Sequence, residues 1–179
     1  MKILNFGSLN IDYVYSVDHF VQKGETISSS QMNIFSGGKG LNQSVALGRA
    51  GAKVFHAGRI GKDGEFLVEQ LKEAGVNTDL VVVDEDCSTG HAIIQNDAEG
   101  DNCILLYGGA NQRITKEQID AALEQFDAGD YLVLQNEISN LPYLMEKAAE
   151  KQMKIVLNPS PMDEKIKALP LDKVTLFFV

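Results

Sequence analysis

With 179 residues, 44% of them apolar and 23% charged, the chain is long enough for one folded domain with a core of its own. Its formal charge of 16 − 25 = −9 excludes non-specific binding to nucleic acid or to an anionic membrane, since both need a basic surface. Neither Cys87 nor Cys103 sits in a C-x-x-C pair and His91 completes no metal-ligand spacing; free, buried or half-buried thiols in a reducing cytoplasm are the expectation.

Residues 2–9 (KILNFGSL) read as a buried strand; Asn5, Gly7 and Ser8 break the apolar run, so this is no leader peptide. Residues 13–18 alternate aromatic and β-branched side chains, a second strand, and 25–37 hold one or two strands with a polar face. A helix over 40–50, apolar through Leu41, Val45, Ala46, Leu47 and Ala50, stops at Gly51. Then come a strand at 53–61, an amphipathic helix at 63–75 with Phe66, Leu67, Leu71 and Ala74 on one face, and a strand at 79–84. Residues 90–97 and 102–109 flank the turn AEGD as a hairpin. A Thr-capped helix at 115–126, a strand at 130–137, a helix at 140–152 and a strand at 154–161 follow. A short helix in MDEKIKALP precedes the very apolar 173–179, expected as an interior strand buried on both faces. Such an edge left open is an aggregation hazard, so either another chain covers it or the sequence is the front part of something longer.

Alternating strands and helices predict an α/β fold: a central, mostly parallel sheet with helices on both faces, forming one unit over 1–179. The early strands (13–18, 25–36) and the hairpin within 90–109 interrupt that alternation and are assigned to a small separate sheet. No apolar run approaches the roughly 20 residues of a membrane span.

The densest signal is SGGKGLNQSVALGRAGA, 36–52. It is not a phosphate-binding P-loop, because Lys39 is followed by Gly40 and no glycine stands five residues before Gly38. It is not a dinucleotide fingerprint, because Gln43 stands where the third glycine belongs. The glycine pair lets the backbone turn sharply and lets a ligand approach; unpaired N–H groups at the helix start would welcome polar oxygens, with Asn42 facing the same space. A plain strand-to-helix turn is the alternative. Asn10 and Asp12, two apart after the first strand, point the same way, and amide plus carboxylate suit a polyol. An Asx-type turn is the alternative there. Asn136 and Glu137 end a strand where a pocket would open, although Glu137 taken alone reads better as a capping or surface carboxylate; YGGAN (107–111) is a loop, and His19, His56 and His91 have no assigned role.

Together these stretches resemble the ribokinase-like (PfkB-type) carbohydrate kinases, ribokinases above all. Gly37, Gly38, Asn42, Ser44, Gly51 and Gly61 fall at the spacing of that family's first signature. GSLNID, GRIGKDGEF, STG, GGAN, LQNE and LNPSP occur in the family's order along the whole chain. The resemblance implies a β-lid over the sugar, built from the small-sheet strands, which often forms a homodimer contact. It implies a hinge at Gly37 and Gly38, and substrate contacts from Asn10, Asp12, Gly38, Lys39, Asn42 and Glu137, with Lys39 near the transferred phosphoryl group. GRIGKDGEF is shorter than the usual form. The second signature, D-T-x-G-A-G-D, which carries the general base and the anion hole, does not occur, nor does the Asn-Glu segment that helps hold the nucleotide.

The expectation is therefore the N-terminal part of an ATP-dependent sugar kinase acting on a primary hydroxyl of a small sugar, ribose first. ATP, Mg2+ and a monovalent cation belong to the complete enzyme. No catalytic, cofactor-binding or metal residue is expected in these residues, which alone would be inactive. A non-catalytic sugar- or partner-binding remnant and a nucleoside kinase of the same family are the alternatives.

Overall fold

A computed structural model describes residues 1–179. Ten strands and four α-helices alternate: β1 (Ile3–Phe6), β2 (Asn10–Ser16), β3 (Gln31–Gly37), α1 (Lys39–Arg49), β4 (Val54–Gly61), α2 (Glu65–Glu73), β5 (Asn77–Asp84), β6 (Gly90–Asn96), β7 (Asn102–Tyr107), α3 (Lys116–Leu123), β8 (Tyr131–Gln135), α4 (Leu141–Glu150), β9 (Lys154–Asn158) and β10 (Val174–Phe177). Six form a wholly parallel sheet in the order β10-β9-β8-β1-β4-β5. The other four form a small mixed sheet, β3-β2-β6-β7.

The strand residues that alternate across the large sheet sort into two apolar layers. Leu4, Phe6, Leu132, Leu134, Ile155 and Leu157 pack with α3 and α4 through Ile119, Leu123, Leu144 and Met145. On the opposite face Val54, Ile60 and Val76 pack with α1 and α2 through Leu41, Val45, Leu67 and Leu71. Most of the sequence periodicity is explained by these layers. Phe66 is the exception: it lies outside the α2 stripe and is 43% exposed. Thr115 caps α3 by accepting from Gln118 N at 3.2 Å.

Several boundaries differ from the sequence expectation. Residues 25–30 are irregular, and only Gln31–Gly37 of that stretch pairs, running antiparallel to β2. The small-sheet strands are Asn10–Ser16, Gly90–Asn96 and Asn102–Tyr107 in place of 13–18 and the full 90–109. The segment at Glu164–Ala168 is a 3-10 turn. β10 is an edge strand with Leu176, Phe177 and Phe178 exposed, because it pairs with β9 on one side and nothing in the chain lies on the other. Cys87 and Cys103 are unpaired; Cys103 is exposed. No helix is long and apolar enough to cross a membrane.

Candidate functional site

β1 sits between β4 and β8. The chain leaving β1 returns to β4 by way of α1, on one face of the sheet, while α4, which follows β8, lies on the other. Open α/β sheets form ligand crevices at such a reversal, beyond the carboxyl ends of the strands. Here those ends deliver Gly7–Asn10 from β1 and Asn136–Glu137 from β8.

The Glu137 side chain is only 7% exposed. Its Oε1 accepts from Lys39 Nζ at 2.7 Å and its Oε2 from Lys39 N at 3.0 Å and from the Ser8 hydroxyl. The same Ser8 Oγ accepts from Gly40 N at 3.2 Å, and Ser8 O accepts from Leu41 N at 2.9 Å. The first N–H groups of α1 are thus committed to the protein, leaving that of Gly38. This corrects the expectation of an open helix start: Ser8 and Glu137 do the capping that a side-chain N-cap does elsewhere. The glycines allow it. Gly38 has φ 94°, and a Cβ on Gly40 would sit 2.6 Å from Gly7 Cα. A Cβ on Gly37 would run into the Asp12 carboxylate.

Beneath α1 lies a buried polar chain. Asn5 Nδ2 donates to Gly40 O and to Ser44 Oγ, each at 2.8 Å, and Gln135 Nε2 donates to Asn5 Oδ1 at 3.0 Å. Ser44 Oγ lies 2.7 Å from His56 Nδ1. His56 is wholly buried, and burial lowers its pKa to about 4, only partly offset by the nearby Gly7 carbonyl.

Asn10, Asp12, Gly38, Lys39, Asn42 and Glu137 line one cleft of about 240 Å3, roofed by Ala92 and Ile94 of β6 and by Ile104 and Leu106 of β7. Every substrate-contact residue expected from the sequence borders this one space. Asp12 has no hydrogen-bond partner in the chain. Burial raises its carboxyl above the ordinary carboxylate value, the Glu137 charge raises it further, and Lys39 pulls it back. The cleft therefore offers a free carboxylate, an ammonium group and two carboxamides under an apolar roof, a mixture that can both donate to and accept from hydroxyls. A second recess of about 220 Å3, between α1 and β8–β10, is lined mainly by Ala46, Leu47, Val133, Val156 and Phe178 and has no charged group to offer a polyol.

Two residues that hydrogen-bond to cleft side chains had no role in the sequence analysis. Ser8 links Glu137 to α1, as above. Asn111 stands in a 3-10 turn, Gly109–Arg113, that is tied to the sheet by Asp84, whose Oδ2 accepts from Arg113 Nε at 2.9 Å and Arg59 Nη1 at 3.0 Å. Single hydroxyl and amide side chains in loops carry no sequence pattern that marks them. No three His, Cys, Asp or Glu side chains converge as a metal-ligand set.

The fold and the cleft together define a class. The pattern of the pfkB family carbohydrate kinases matches residues 1–179, and the chain belongs to that family. It is 35% identical over 181 residues to a ribokinase of Staphylococcus aureus (strain COL), covering 98% of this chain and 58% of that protein. A crystal structure of ribokinase from Cryptococcus neoformans var. grubii serotype A in complex with ADP superimposes with a TM-score of 0.83 at 37% identity, covering 98% of this chain and 57% of that one. The Arabidopsis thaliana ribokinase complexed with ribose and ATP gives a TM-score of 0.77 at 27% identity, covering 90% and 54%. The chain thus spans a little over half the length of the relatives it matches.

Proposed function

We propose that this chain carries the sugar pocket of a ribokinase-type enzyme, which transfers the ATP γ-phosphoryl group to a primary hydroxyl of a small sugar, ribose first. The observation that carries the proposal is the convergence of Asn10, Asp12, Gly38, Lys39, Asn42 and Glu137 on one cleft beneath an apolar roof. Relatives named ribokinase support the choice of sugar. Asp12 accepts from sugar hydroxyls, Glu137 anchors Lys39 and contributes its remaining lone pair, and the small sheet acts as a lid that hinges at Gly37 and Gly38. Lys39 supplies positive charge beside the reacting hydroxyl, where charge builds up in phosphoryl transfer.

ATP with Mg2+ is the proposed phosphoryl donor. The D-T-x-G-A-G-D signature, with its general base, is not among these 179 residues, so the chain alone binds sugar without turning it over. The lid forms the contact of a homodimer. Free thiols at Cys87 and Cys103 suit a cytoplasmic setting.

The test is paired. Calorimetric titration with D-ribose gives one saturable site, and a coupled ADP-release assay with ATP, Mg2+ and ribose gives no turnover. No heat with ribose refutes the pocket; turnover refutes the division of labour.

A further inference from the structure

Asn111 is 1% exposed; it is not among the residues that line the main cleft, and it borders, with Asn10 and Glu137, a smaller recess of about 180 Å3 beside it. Its Oδ1 accepts from Leu9 N at 3.1 Å, and its Nδ2 donates to Leu9 O at 3.1 Å and to Asn10 Oδ1 at 2.8 Å. A backbone N–H can only donate and a backbone C=O can only accept. The Leu9 peptide groups therefore dictate which end of the Asn111 amide is oxygen and which is nitrogen. Asn111 then presents an N–H to Asn10, and Asn10 must answer with its oxygen. That leaves Asn10 Nδ2 as the free end, with no acceptor in the chain and not sealed from the cleft.

We infer that Asn111 is a positioning residue that relays the polarity of the Leu9 backbone to Asn10 and so fixes Asn10 as a hydrogen-bond donor to the ligand. The inference deepens the sugar-binding reading and rests on it for the ligand's identity. It assigns complementary roles to two side chains on one face of β2. Asn10 requires an acceptor oxygen and Asp12 requires a donor, as two hydroxyls of one sugar supply. It also accounts for Gly90, the first residue of β6: a Cβ there would strike Asn111 Nδ2 and lie 2.5 Å from Asn10 Oδ1. The relay sits where strands of the small sheet leave the body, at Asn10 and Gly90 and just after β7.

The experiment follows side-chain amide protons of the 15N-labelled chain by NMR, with and without D-ribose. In the wild-type protein the Nδ2 protons of Asn10 exchange with water at least about tenfold faster than those of Asn111, which are held by two acceptors. On adding D-ribose the Asn10 pair shifts and slows. In Asn111→Asp the new carboxylate still accepts from Leu9 N but cannot donate, so Asn10 turns its N–H group toward residue 111. Its exchange slows without ribose, and ribose affinity falls about tenfold. A residue with only a structural role would lower stability and affinity but leave Asn10 exchange unchanged, and that result overturns the proposal. So does an Asn10 pair as protected as that of Asn111 in the free wild-type protein, a comparison that decides the matter even if the variant does not fold. If wild-type protein takes up no D-ribose, the sugar reading fails, while the exchange pattern still decides the relay.

Discussion

Asp12 and Glu137 face the same cleft in opposite circumstances. Glu137 is held by Lys39 and Ser8, whereas Asp12 has no partner and its carboxyl is raised by burial and by the Glu137 charge. A raised native carboxyl means that the unfolded chain ionises more readily, so the charge on Asp12 opposes folding at neutral pH. Asp12→Asn should therefore raise the thermal midpoint at pH 7. The gain should vanish below about pH 4, where the carboxyl is protonated in both states. The same substitution should weaken ribose binding about ten- to a hundredfold, the loss of a hydrogen bond to a charged group. Calorimetry with and without ribose checks both halves, and a variant less stable at pH 7 would contradict the first. His56 titrates the other way. Its pKa falls from 6.5 to about 4 in the fold, so the unfolded chain takes up the proton first. Stability should drop by about 3 kcal/mol as pH falls through that interval, and His56→Gln should flatten this part of the urea-denaturation profile. Residue identity was well marked in the sequence where spacing constrains it, as at Asn10, Asp12 and Asn42. It was unmarked for Ser8, Asn111 and His56, whose roles come from partners between 12 and 129 positions away in sequence.

The start of α1 is where local sequence and tertiary contact meet. Its glycines are set by close approach: Gly40 lies against Gly7 and Ser8, and Gly37 against Asp12. Gly40→Ala should cost about 1–3 kcal/mol, because the obstructing atoms are backbone and cannot swing aside. Urea denaturation measures the loss, and an unchanged midpoint would show that the turn has room to spare. The glycine cluster was legible as a tight turn leading into a helix, and the structure has that turn at Gly37–Gly38 before α1. Its N–H groups were not legible as occupied, because the groups that occupy them come from Ser8 and Glu137. Elements with strong alternation, such as β2 and β6, were foreseen to within a few residues. The 25–30 stretch was not, because its polar alternation has no partner strand to pair with. β10 has the composition of an interior strand and the position of an edge, and composition alone cannot tell the two apart.

On the scale of the whole molecule, the small sheet is apolar on both faces. Phe35, Ile104 and Leu106 are exposed on the side that carries Asp12, and Ile34, Leu105 and Tyr107 on the other. Exposed apolar area on this scale marks an interaction surface. The chain should sediment as a dimer at micromolar concentration, and Phe35→Asp combined with Leu105→Asp, one on each face, should return it to a monomer. Monomeric wild-type protein at every concentration would contradict a lid-mediated dimer. The net charge of −9 sets no partner, and the matched relatives run well beyond the length of this chain.

The proposed sugar pocket rests on Asn10, Asp12, Gly38, Lys39, Asn42 and Glu137. A crystal structure of the chain soaked with D-ribose tests it most directly. Sugar density is expected within hydrogen-bond reach of Asn10, Asp12, Asn42 and Glu137 beneath Ile104 and Leu106. Ribose bound elsewhere, or an empty cleft at saturating sugar, would contradict it.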